Sequence, residues 1–148
     1  MHFCGCRKVI IQDCIISAGD DCIALSSIMD WDIPCEDFTI SNCILESCSK
    51  AISLGYMHSI VRNVVISNCI IRNSHRGIAV MSSTGTGLVE NITISNMVIE
   101  TRVYAGNWWG NGEPLCMMAV YHNSDNCKFP VPKRQWKQNI RNILVHNL

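Results

Sequence analysis

A near-repeat of 26 to 29 residues constrains this chain more than any other feature. Four segments, Val9–Ile16, Phe38–Leu45, Val64–Ile71 and Ile92–Ile99, share one pattern. In each, an apolar alternation is closed by a polar residue and resumes one step out of phase. A fifth segment, Ile143–Leu148, matches as far as it runs. The polar positions are Asp13, Asn42, Asn68, Asn96 and Asn147, at spacings of 29, 26, 28 and 51 residues, the last close to two periods. Self-similarity at such a period marks a solenoid, in which each unit buries its apolar face only against its neighbours.

The alternation has period two and is carried by Ile and Val, which specifies strands rather than helices. A single Asn that resets the phase suits a sharp corner, because Asn tolerates the left-handed backbone conformation. A second strand follows at a fixed offset: Ile23, Ile52 and Ile78 each lie ten residues after a corner, within Cys22–Leu25, Ala51–Leu54 and Gly77–Val80. A leucine-rich repeat also combines apolar alternation with Asn, but it requires leucine dominance and a crossover in every unit. The expected fold is therefore all-β, a right-handed parallel β-helix of about five coils. It occupies residues 1–148 as one domain, with 107–138 as an irregular, loop-rich insertion. Ending at Leu148 inside a repeat predicts a fragment of a longer solenoid, since solenoids need capped ends.

Composition narrows function by exclusion. Charged residues are 16% of the chain against 48% apolar, and the formal net charge is zero. No basic stripe offers a footprint for nucleic acid, and no apolar run reaches the roughly 18 residues of a membrane span. The N-terminus shows no charged segment followed by an apolar stretch, so no signal peptide is visible and the compartment is left open. Ten cysteines suggest disulfides or zinc, yet Cys4-Gly5-Cys6 has no second close pair at zinc-ribbon spacing. Cys14, Cys43 and Cys69 recur directly after the corner, where free thiols act as small buried hydrophobes. His2, His58, His122 and His146 show no ligand spacing, so neither a metal nor a cofactor is expected.

Equivalent residues of neighbouring coils stack about 4.8 Å apart, so the repeat predicts contacts. Asp21, Lys50 and Arg76 form one expected ladder, beside a second of Asp20, Ser49 and His75. Two carboxylates, two cations and a histidine then share a face. Two readings of it stay open. Gly19-Asp20 is a simple turn with Asp21 paired to Lys50, or the carboxylates carry acid/base chemistry. Gly106 to Pro114 interrupts the repeat and contains Trp108 and Trp109, either an aromatic plug or a wall for stacking a sugar ring. Tyr121 to Gln138 reads as loop, and Asn91-Ile92-Thr93 is a glycosylation sequon placed inside the repeat.

Ser17-Ala18-Gly19-Asp20-Asp21-Cys22-Ile23-Ala24-Leu25 resembles the Gly-Asp-Asp-Cys-Ile motif of glycoside hydrolase family 28, the polygalacturonase-like proteins. Similarity continues through Pro34–Cys43, Arg76-Gly77-Ile78 and Val89–Asn96, covering most of residues 5 to 100. The resemblance implies hydrolysis of pectin-type, acidic polysaccharide with inversion. Asp20 and Asp21 match the paired catalytic aspartates, one a general acid and the other helping to activate water. Adjacent carboxylates suit this, since their repulsion favours retention of a proton by one of them. Lys50, His75, Arg76, Trp108 and Trp109 become expected substrate contacts. Members of the family are often secreted.

The chain also departs from the family. By the alignment of Gly5-Cys6-Arg7-Lys8-Val9, the family's Asn-Thr-Asp-Gly motif falls before Met1, an N-terminal truncation. Cys48-Ser49-Lys50 stands where the family has Gly-His-Gly, and Ala79-Val80-Met81 where it has Arg-Ile-Lys. A subgroup with an altered substrate and a degenerate glycosidase both fit these changes. So do two other classes: a calcium-dependent polysaccharide lyase with Arg76 as base, and a non-catalytic glycan-binding or structural solenoid.

Overall fold

A computed structural model describes residues 1–27, 33–56, 58–83, 87–104, 110–120 and 139–148. Among these the chain forms fourteen strands and no helix. β1 (His2–Cys4), β2 (Arg7–Gln12) and β3 (Ile15–Ala18) are followed by β4 (Ile23–Ser26), β5 (Cys35–Ser41) and β6 (Ile44–Ser47). Next come β7 (Lys50–Leu54), β8 (Ile60–Ser67) and β9 (Ile70–Ser74), then β10 (Arg76–Ser83), β11 (Leu88–Ser95) and β12 (Val98–Thr101). β13 (Leu115–Val120) and β14 (Ile140–His146) complete the series. Every third strand joins the same sheet, in the orders β1-β4-β7-β10-β13, β2-β5-β8-β11-β14 and β3-β6-β9-β12. All pairings are parallel. This is the expected parallel β-helix. Sequence alternation marks at least two strands per unit; the structure has three, because the residues after each corner build a sheet of their own.

The register follows the repeat, with Ile23 opposite Ile52 and Ile52 opposite Ile78. Inward columns such as Ile23–Ile52–Ile78 and Ile40–Ile66–Ile94 are fully buried. Each such side chain contributes roughly 1.5–3 kcal/mol of burial. Phe3 packs edge-on against Phe38, with ring centroids 5.5 Å apart. The corners at Asp13, Asn42, Asn68, Asn96 and Asn147 have φ between 52° and 56°, the left-handed conformation Asn accepts at least cost. Their amides also hydrogen-bond from coil to coil: Asn96 Nδ2 donates to Asn68 at 3.2 Å and Asn147 Nδ2 to Asn96 at 3.0 Å.

Two further ladders have no counterpart in the expectations above. Lys8, Asp37, Asn63, Asn91 and Asn142 make a second left-handed corner, with φ of 55–61°. There Asn91 Nδ2 donates to Asn63 at 3.1 Å, so the sequon asparagine is spent on the ladder. Six residues before each first corner lie Arg7, Glu36, Arg62, Glu90 and Arg141, alternating in sign along one sheet. Arg7 Nε sits 2.9 Å from Glu36, Arg62 pairs with the same carboxylate, and Arg141 pairs with Glu90 at 2.6 Å.

Within 107–138, the stretch expected to be irregular, Leu115–Val120 forms β13 and pairs with β10. The pattern was hidden because Leu115 lies 19 residues after Asn96 instead of ten. Residues 107–109, with Trp108 and Trp109, and 121–138 lie outside the described residues. Among the described residues, no helix is long and apolar enough to cross a membrane.

Candidate active site

The sheet of β1, β4, β7, β10 and β13 turns one face outward, and a cleft of about 330 Å³ opens there. It is lined by Asp20 and Asp21 just before β4, by Lys50 at the start of β7, by Ala24 and Ser53 within those strands, and by Tyr56 two residues past the end of β7. The turn that delivers the two aspartates is pinned by the next coil. Ser47 Oγ donates to the Asp20 carbonyl at 2.7 Å, and the Cys22 N–H donates to the Lys50 carbonyl at 3.1 Å.

The two carboxylates differ in environment. Asp20 is exposed, and its Oδ1 accepts the Asp21 N–H at 2.8 Å. Asp21 leans onto the neighbouring coil and has both oxygens engaged by one residue. Its Oδ1 accepts the Lys50 N–H at 3.1 Å, while the Lys50 ammonium lies 3.1 Å from Oδ2. Both side chains of this pair are largely sheltered, at 20% and 16% exposure. The turn and the Asp21–Lys50 pair are thus both present, and both border the cleft.

Arg76 lies opposite Lys50 in the register, as expected, but its charge is used elsewhere. Its Nε and Nη2 donate to the two oxygens of Glu113 at 2.8 and 3.3 Å. The guanidinium beside it, with an N–H from Asn111, holds the Glu113 carboxyl down at about 2. Gly110 lies flat against this pair; a Cβ there would come within 2.0 Å of Arg76 Nε. His75 is 1% exposed, and its Nδ1 accepts the Tyr104 N–H at 3.1 Å. A neutral ring in that arrangement carries its proton on Nε2, which has no hydrogen-bond partner among the described residues. Ser49, the remaining member of the expected ladder, is buried. The repeat therefore brings Asp20, Asp21 and Lys50 to one cleft, while Arg76 is turned to Glu113 and His75 to Tyr104.

Sequence patterning missed Tyr56, which is 54% exposed, and Glu113. Both lie in connections whose lengths vary, where coil offsets give no guidance. Tyr56 follows Gly55, which has φ of +83° and where a Cβ would collide with the Met81 carbonyl at 2.3 Å, so the chain turns there at the end of β7. Among the described residues, no group of three or more His, Cys, Asp or Glu is placed to hold a metal ion. The cysteines described are all unpaired. Burial raises the thiol pKa of Cys22, Cys35 and Cys43, and pushes that of Cys69 up to about 11.

Comparison with known proteins adds two findings. The family model described as "Glycosyl hydrolases family 28" matches residues 1–142. A Vitis vinifera protein described as "Probable polygalacturonase" is 30% identical over 117 residues. That match takes in 73% of this chain and 23% of the relative, so the chain spans about a quarter of the relative's length. No solved structure matches.

Proposed function

Because the chain belongs to glycosyl hydrolases family 28, we propose that its cleft is part of the active site of an inverting hydrolase of pectin-type polysaccharide. Asp20 is the general acid and Asp21 the base that helps to activate water. The single observation that carries this division is the unequal occupancy of the carboxylates. Both oxygens of Asp21 receive donors from Lys50, which hold that carboxylate in place beside the cleft. The exposed Asp20 keeps one oxygen without a hydrogen-bond partner among the described residues. In the reaction a protonated Asp20 gives its proton to the glycosidic oxygen as the bond to the anomeric carbon breaks. Water attacks that carbon from the opposite face and passes its proton to a carboxylate.

Release of reducing ends from pectin-type polysaccharides tests this. Asp20→Asn should lower kcat by roughly 10²–10⁴-fold with little change in KM, in protein whose circular dichroism matches the parent. Hydrolysis untouched by Asp20→Asn would sink the assignment. Saturable glycan binding without product would point instead to a binding solenoid. Support for that second reading comes from Ala79, Val80 and Met81, which present no cation where the family has Arg-Ile-Lys.

A further inference from the structure

Resting on that reading of the cleft, we propose that Lys50 determines its specificity. The Lys50 ammonium bridges Asp21 and a carboxylate of the bound sugar, so that the cleft takes a uronate in preference to its ester. Lys50 lines the cleft together with Asp20 and Asp21. An ammonium carries three donors. One faces Asp21 Oδ2 at 3.1 Å, and among the described residues no other acceptor takes a hydrogen bond from this head group. Two donors are left at the cleft. The next strand of the sheet offers no equivalent. Arg76, opposite Lys50 in the register, gives Nε and Nη2 to Glu113, and Ala79 stands beside Ser53.

The head group is prepared for an anion before one arrives. The Lys50 backbone is tied to the aspartate turn in both directions: its N–H donates to Asp21 Oδ1 at 3.1 Å, and its carbonyl accepts the Cys22 N–H at 3.1 Å. The contact with Asp21 already restrains the long side chain, so little rotamer freedom is left for a ligand to remove. At 20% exposure the side chain is also largely sheltered from competing water. Charge balance then decides the sign. A tetrahedral ammonium 3.1 Å from Asp21, meeting a second carboxylate at a like distance, keeps the two acids about 5 Å apart. Coulomb energy falls as the inverse of distance, so the new attraction exceeds the new repulsion by about five to three. Asp20, protonated as general acid, adds no repulsion. A methyl ester at the same place offers a dipole instead of a charge and forgoes that attraction.

The test is calorimetric titration of the whole chain carrying Asp21→Asn, which removes the partner of the ammonium and leaves Lys50 in place. The ligands are an oligogalacturonide and its full methyl ester, of equal length, at about 0.15 M salt, where charges beyond roughly 8 Å are screened. An acetylated amino terminus keeps the Met1 charge, which also borders the cleft, out of the comparison. Asp21→Asn protein should bind the oligogalacturonide about tenfold more tightly than the ester. Adding Lys50→Met should abolish that difference by weakening oligogalacturonide binding alone. If Lys50 serves only to neutralise Asp21, Lys50→Met has no effect in this background and the proposal falls. It falls too if both ligands weaken alike, or if the oligogalacturonide does not bind saturably. Lys50→Gln is read in the same way should Lys50→Met fail to fold by circular dichroism. Turnover by the parent chain is scored separately. Lys50-dependent binding with no reducing ends released removes the hydrolase reading and leaves this inference standing; release of reducing ends with binding indifferent to Lys50 does the reverse.

Discussion

Side chains that look alike in the sequence take opposite duties according to which coil they touch. Lys50 and Arg76 are register partners, yet one steadies an aspartate at the cleft and the other fastens the segment carrying Glu113. Glu113, normally near 4.5, is held at about 2 by Arg76. Its contribution to stability is therefore complete above pH 4.5 and is lost as pH falls toward 2. Glu113→Gln should remove that acid-limb dependence and cost about 1–3 kcal/mol at neutral pH, read by urea unfolding. The glycines give a paired check. Gly110→Ala should destabilise the chain, because the added methyl meets the guanidinium, whereas a Cβ at Gly19 meets nothing within 4 Å. Equal melting temperatures for the two variants would show that the Arg76–Glu113 clamp is not rigid.

At the level of the strand and corner, the fold rests on repeated left-handed residues more than on any turn sequence. Asn96 is the clearest case. It holds φ of 52°, donates to Asn68 and accepts from Asn147. Asn96→Ala should cost about 1–2 kcal/mol for the backbone alone, plus the two ladder bonds. Asn96→Gly keeps the conformation and loses only the bonds, so the difference between the variants isolates the backbone term. The corner asparagines and their period were plain in the sequence, as were Asp20, Asp21 and the contact of Asp21 with Lys50, since all sit at constant offsets. The second corner was not, because Lys8 and Asp37 stand in it beside Asn63, Asn91 and Asn142. A column of mixed identity gives no repeat to read.

For the molecule as a whole, stability is distributed along one axis, each coil supported by the coils on either side. Among the described residues β1 pairs with β4 alone and β14 with β11 alone, whereas β5 and β8 have partners on both edges. Amide exchange should therefore be fastest in β1 and β14 and slowest in β5 and β8. Uniform protection across all coils would mean that the solenoid opens as a single unit.

What the sequence determined by itself was the part of the period carried by like residues: the first corner, the strands flanking it, the coil register and the family's aspartate pair, because a solenoid makes sequence offset equivalent to position in space. What the tertiary structure decided was everything that breaks the period. An insertion moved β13 out of phase and brought Glu113 to Arg76. A glycine turn after β7 brought Tyr56 to the rim of the cleft. Burial took His75 out of the ladder it was expected to share with Asp20. In each case the partner comes from a connection of free length, and only packing against the neighbouring coil selects it.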